Sequence, residues 1–176
     1  GTMYLLDYRL QHVLVVDSNG ELLRLIGGEG DGPGETRHAG RLFLMEDQRI
    51  GLLDVLSSKI SWIDTEGHSL ASTNVRLRSD GSGVFGTYDA RICSGGYVAA
   101  FMQPNTTSDE GRFQVTLAYV RGDDTDPLVL LQVPDKASSR RGPVDDEADL
   151  YNFAWNCWDV SRQGNVFVAP SRDKGE

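Results

Sequence analysis

Tyr4-Leu5-Leu6-Asp7, then His12-Val13-Leu14-Val15-Val16-Asp17-Ser18-Asn19-Gly20, recurs without a gap as Ile50-Gly51-Leu52-Leu53-Asp54, then Lys59-Ile60-Ser61-Trp62-Ile63-Asp64-Thr65-Glu66-Gly67. Asp7 and Asp54, Asp17 and Asp64, and Gly20 and Gly67 all stand 47 positions apart. A fixed period between about 20 and 50 residues marks a repeat architecture, in which each supersecondary unit buries its faces against its neighbours. The repeat speaks to fold before it speaks to function.

Short aliphatic runs bounded by turn residues predict strands throughout, with almost no helix signal. Asp17-Ser18-Asn19-Gly20 and Asp64-Thr65-Glu66-Gly67 suit type I turns that close on a glycine at positive φ. Val13–Val16 is apolar on both faces, as in a strand covered from either side. Four strands per repeat, stacked face to face around an axis, describe a β-propeller blade. Lettered a to d from the centre, blade one shows b (3–7), c (12–17) and d (21–26). Blade two has a (41–45), b (49–54), c (59–64) and d (69–76). Blade three has a (84–93), b (97–102), c (113–121) and d (127–133), and blade four only a (153–161) and b (165–170). The fold class is thus all-β, a propeller fragment of about 13 strands. Tyr97 lies another 47 positions beyond Ile50, but the next step, to Val166, is 69, so blade three and its exit carry inserted loops.

The run Gly27-Gly28-Glu29-Gly30-Asp31-Gly32-Pro33-Gly34-Glu35, followed by a strand, Leu52-Leu53-Asp54 and the Ile63–Gly67 turn, resembles the NHL-type repeat of bacterial six-bladed β-propellers. In that family a Gly-rich connector ending Gly-Pro-Gly-Glu links the outer strand of one blade to the inner strand of the next. The resemblance covers residues 1–76 best, extends to 158–169 and is weak over 84–150. This chain departs from it in having Thr36-Arg37-His38-Ala39 where the family usually has Phe and Pro. The resemblance implies a bacterial protein, periplasmic or extracellular. A six-bladed ring at this period needs about 270 residues. The expectation is therefore a monomeric fragment of a longer propeller rather than half of a two-copy ring. Gly1-Thr2-Met3 leads straight into a strand and reads as a truncated start.

Composition narrows the function classes. The chain has 176 residues, 39% of them hydrophobic, with 20 glycines and a net charge of −9. That acidity repels phosphate backbones, so no nucleic-acid partner is expected; Arg76, Arg78 and Arg140-Arg141 are the few cationic candidates, and they read as scattered surface charge. No apolar run approaches the roughly 18 residues of a membrane helix. Cys93 and Cys157 read as buried thiols rather than a disulfide.

In a propeller the d-to-a and b-to-c connections share one rim. All three long loops of this chain, 27–40, 103–112 and 134–152, fall in those classes, and loops set on a rigid scaffold are where binding concentrates. The candidate binding residues on the rim are Glu29, Asp31, Glu35, His38 and Asn105. Tyr88, Asp89, Tyr151, Trp155, Trp158 and Asp159 are the candidates at the channel mouth. Such aromatics either fill the wedge between blades or line a mouth that stacks on a sugar ring or a partner's side chain. Asp145-Asp146-Glu147 with Asp149, and Asp123-Asp124-Thr125-Asp126, lack the spacing of a calcium loop and read as solvated. The glycine run matches neither a calcium nonapeptide nor a dinucleotide fingerprint. No cofactor, metal site or catalytic residue is expected.

Two functions remain in view. One is a non-enzymatic module that presents long loops to a protein or peptide. The alternative is a metal-dependent lyase or hydrolase with its site at the channel mouth, for which Asp89, Asp159 and His38 are the only ligands at hand, whereas a metal needs three or four that converge.

Overall fold

The computed structural model describes residues 1–75, 77, 86–105, 113–121, 127–134 and 158–168. Among these residues the chain is all-β, with thirteen strands in four antiparallel sheets and no helix. It divides into two compact units, Gly1–Val75 and Arg76–Glu176.

The first unit holds two sheets. β1 (Met3–Asp7), β2 (His12–Val16) and β3 (Leu22–Gly27) form one, in that order. β4 (Ala39–Leu44), β5 (Ile50–Asp54), β6 (Lys59–Ile63) and β7 (Ser69–Asn74) form the other. The 47-residue period is kept at the level of pairing. Leu5 opposes Leu14 in the first sheet, and Leu52 opposes Ser61 in the second.

The period is kept in the turns as well. Asp17 Oδ1 accepts from the N–H groups of Asn19 (2.8 Å) and Glu21 (2.9 Å). Asp64 Oδ1 accepts from Glu66 (2.9 Å) and His68 (2.8 Å), the residues 47 further on. Gly20 and Gly67 close these turns at φ +87° and +94°, where a Cβ would be strained. Each hairpin then carries a bulge, at Val15/Val16 and at Trp62/Ile63.

Alternation along the strands sorts the faces. Val13, Val15 and Ile26 of the first sheet cluster with Ile50, Leu52 and Ile63 of the second, with Tyr4, Leu6 and Leu42 packed against them. Each such fully buried aliphatic side chain contributes about 1.5–3 kcal/mol. On the other side of the second sheet the Trp62 ring lies across its cross-strand neighbour Gly51, where an added Cβ would stand 2.6 Å from the ring. Trp62 Nε1 donates to Thr73 Oγ1 at 3.0 Å, and the Arg49 guanidinium lies 5.3 Å from the ring centre. Arg24 on β3 fastens the two sheets, donating to Thr65 O (2.8 Å) and pairing with Glu66 (2.9 Å).

The second unit holds the remaining strands. β8 (Gly86–Cys93), β9 (Gly96–Pro104), β10 (Phe113–Arg121) and β11 (Leu128–Pro134) make a four-stranded meander, and β12 (Trp158–Val160) pairs with β13 (Val166–Val168). Cys93, Val98, Ala100, Val115, Leu117 and Trp158 form its core.

The strands fall where the sequence predicts them, with shifted ends. β4 opens at Ala39, two residues early, because the Ala39 N–H is held by the buried Gln11 Oε1 at 2.7 Å and Ala39 pairs with Asp54. β7 stops at Asn74, and the next backbone N–H, that of Val75, turns to Ser58 O at 2.7 Å. β9 runs on to Pro104 in register with β10. Most of the expected long loops, 106–112 and 135–152, lie outside the described residues, as does 153–157 of the strand placed before Val160.

Candidate functional site

The connector from β3 to β4 is built on itself. Thr36 N–H donates to Gly28 O (3.1 Å) and Glu35 N–H to Gly32 O (3.1 Å), while Glu35 Oε2 accepts from Gly32 N–H (2.8 Å). The Glu35 carboxylate occupies the space a Cβ on Gly30 would take. Glu35 therefore braces the loop from within. Asp31 pairs with Arg37 at 2.7 Å on the surface, and Glu29 is exposed.

The connector ends on Asp54. One carboxylate oxygen, Oδ2, accepts from Thr36 Oγ1 (3.1 Å), Arg37 N–H (3.2 Å) and His38 N–H (3.1 Å). The other, Oδ1, accepts from Leu56 N–H (3.1 Å) and Ser57 N–H (2.9 Å) in the β5–β6 turn. Burial pushes the Asp54 carboxyl up, but the hydrogen bonds from Ser57, His38 and Thr36 outweigh it and hold the group below the usual carboxylate range. A proline at 37 or 38 would have no N–H to give.

A groove of about 540 Å³ opens beside that junction, lined by Leu6, Tyr8, His38, Ala39, Gly40, Arg41, Leu42 and Val55. Its floor is aliphatic and its margins carry a phenol, an imidazole and a guanidinium. Tyr8 is 67% exposed, and the His38 side chain is half exposed with Nδ1 3.9 Å from Asp54 Oδ2. Asp54 holds the Arg37 and His38 N–H groups and Gln11 the Ala39 N–H, so hydrogen bonds anchor the backbone along the groove. Such a cleft can take an extended segment with an apolar side chain and hydrogen-bond its polar groups.

In the second unit the structure gathers Asp89, Trp158 and Asp159 around one cation, Arg91. Arg91 Nη1 lies 2.6 Å from Asp89 Oδ1, Arg91 Nε lies 3.3 Å from Asp159 Oδ1, and the guanidinium sits 5.1 Å from the Trp158 ring centre. Asp89 and Trp158 are buried, so the cluster neutralises an internal carboxylate and fixes β12 beside β8. Tyr88 packs on the same core and donates its hydroxyl to Met102 Sδ at 3.0 Å. Asn105 ends the described part of its loop; Tyr151 and Trp155 lie outside the described residues, as do Cys157, Arg76, Arg78, Arg140-Arg141 and both acidic runs.

His12 is half-buried, and His68 is exposed and bonded to Asp64 at 2.9 Å. Burial pushes the Cys93 thiol up, away from thiolate chemistry. Among the described residues no three His, Cys, Asp or Glu side chains are grouped to hold a metal ion. Nor is any helix there long and apolar enough to cross a membrane.

Of the groove residues, sequence reasoning named only His38. Tyr8 had a usable signal, an aromatic where the next repeat has Val55. Arg41 had none, because its neighbours come from β1 and the β5–β6 turn.

No family model matches the chain, and no curated protein matches it. Among solved structures it is similar to the "Putative exported protein" of Bacteroides fragilis NCTC 9343, with 19% identity and a TM-score of 0.46 over 70% of this chain. The chain spans 35% of the length of that structure.

Proposed function

We propose that this chain is a non-enzymatic binding module, a segment of a bacterial NHL-type β-propeller working outside the cytoplasm, that holds a peptide or protein segment in the groove beside Asp54. The propeller reading draws support from the 47-residue period, which holds through pairing, turns and carboxylate caps. The observation that carries the binding reading is the groove, an aliphatic floor rimmed by Tyr8, His38 and Arg41 on anchored backbone. Its chemistry suits an extended peptide with a bulky apolar residue and an adjacent carboxylate or carbonyl.

A random peptide library displayed on phage and selected on the full chain tests this. Enriched peptides should share an apolar residue flanked by an acidic one. Tyr8→Ala and Arg41→Ala should each weaken the winning peptide about tenfold, the loss of one good contact. Peptides that bind both variants as tightly as the parent would place binding elsewhere, and an unenriched library would count against a peptide ligand.

A further inference from the structure

The groove margin carries an imidazole, a group that changes charge between about pH 5 and 8. His38 is fixed through its own backbone. Its N–H donates to Asp54 Oδ2 at 3.1 Å, and its carbonyl accepts from Val55 N–H at 3.0 Å. Both partners belong to β5 and the turn after it, so the second sheet and its connector suffice to place His38. The side chain is half exposed, with Nδ1 3.9 Å from Asp54 Oδ2.

That orientation gives the two ring nitrogens different surroundings. Nδ1 faces a buried carboxylate that its hydrogen bonds keep ionised through neutral and mildly acid solution. A neutral imidazole has one N–H and one lone pair, and a fixed negative charge favours the N–H on its own side. Asp54 thus favours, in neutral His38, the proton on Nδ1 and a lone pair at Nε2, the nitrogen turned away from it. Protonation adds the second N–H at Nε2, so the same atom changes from acceptor to charged donor. The other charges around the groove are few. Arg41 on β4 is a second cation, Tyr8 brings a hydroxyl from the β1–β2 turn, and Arg37 on the connector is matched by Asp31 at 2.7 Å. Arg41 opposes the charging of His38 and Asp54 favours it, while an anionic ligand relieves the repulsion between the two cations.

We infer that His38 makes the groove's ligand preference depend on pH, an inference that rests on the groove being the binding site. Near neutral pH His38 accepts from a hydroxyl or amide of the bound peptide; in mild acid it binds a carboxylate. A peptide that offers one carboxylate to Arg41 therefore meets a second anion site only in acid.

A random peptide library on phage, selected on the full chain in parallel at about pH 5.5 and about pH 7.5, tests this. Peptides won at the lower pH should carry a further acidic residue, and synthetic copies should bind about fivefold tighter there than at the higher pH. His38→Gln should abolish that difference, because an amide offers donor and acceptor alike at either pH. His38→Arg should hold the tighter binding at both. Each variant keeps the backbone bonds to Asp54 and Val55, so thermal unfolding should match the parent's. Nitrogen NMR of the imidazoles in the free chain, with His38 assigned by its loss in His38→Gln, should find the proton on Nδ1 at the higher pH. A proton on Nε2 overturns the inference whatever the peptides do. Equal affinity at the two pH values overturns it as well, and so does a difference that survives His38→Gln, since His12 or His68 would then be its source. A library that enriches nothing at either pH overturns the groove reading itself, and the inference falls with it.

Discussion

Asp7 and Asp54 occupy the same place in the repeat, yet they do different amounts of structural work. Asp7 Oδ1 accepts from the Arg9 and Leu10 N–H groups of its own turn at 2.9 and 3.1 Å. Asp54 makes the equivalent pair and three more bonds, to donors 16 to 18 residues earlier. Asp54→Asn keeps the shape but turns one acceptor oxygen into a donor facing other donors. It should cost about 2–3 kcal/mol, against less than about 1 kcal/mol for Asp7→Asn, because buried groups left unpaired lose their full solvation. Chemical denaturation of the two variants checks this; equal losses would mean the connector does not depend on Asp54. The sequence marked both aspartates as landmarks of the period. It could not mark the difference, because the extra donors reach Asp54 only once β4 has paired with β5. Arg91 was missed for the same reason, with Asp159 lying 68 residues away.

At the scale of elements the sequence was most legible in the turns. Four of them share one form, in which the first residue's N–H donates to the carbonyl four further on and its carbonyl accepts from the N–H three further on. They begin at Asp17, Met45, Asp64 and Ser161. The residue at the fourth position is Gly20, Gly67 or Gly164 in three of them, but Gln48, at φ +66°, in the turn from β4 to β5. A side chain in that left-handed region costs about 1 kcal/mol or more, partly offset by the entropy glycine loses on folding. Gln48→Gly should therefore stabilise the chain by about 0.5–1 kcal/mol, and raise Tm by a few degrees. A drop in Tm would show that Gln48 contributes contacts outweighing its backbone strain. Strand positions were legible because short aliphatic runs sit between such turns. Strand ends were less so: the Ala39 start depends on Gln11, a polar residue whose burial no local pattern announces.

Across the whole molecule, net charge and local carboxylate bonding pull stability in opposite directions as pH falls. Among the described residues four carboxyls lie below their ordinary value near 3.8. The Glu21 N–H, then Asn19, lowers Asp17, and the His68 N–H lowers Asp64. For Asp47, which is exposed, slight desolvation acts upward and is outweighed by bonds from Arg49; for Asp54 burial acts upward and is outweighed by bonds from Ser57, His38 and Thr36. A group whose folded pKa is depressed adds stability that is complete above its unfolded pKa and is lost as pH falls through the folded value. The unfolded chain takes up these protons first, so acid favours unfolding. Against this, protonation relieves the repulsion of a chain with net charge −9. Charges on the surface are screened beyond about 8 Å at physiological salt, whereas the bonds to the four carboxylates are direct contacts. The linkage term should win. Stability is expected to be flat from neutral pH down to about 5 and then to fall steadily below about 4.5. In Asp54→Asn the fall should be shallower, because one of the four titrations is gone. Urea unfolding at constant ionic strength across that range decides it. If stability instead rises between pH 5 and pH 3, charge repulsion governs this acidic fold and the carboxylate caps are of secondary weight.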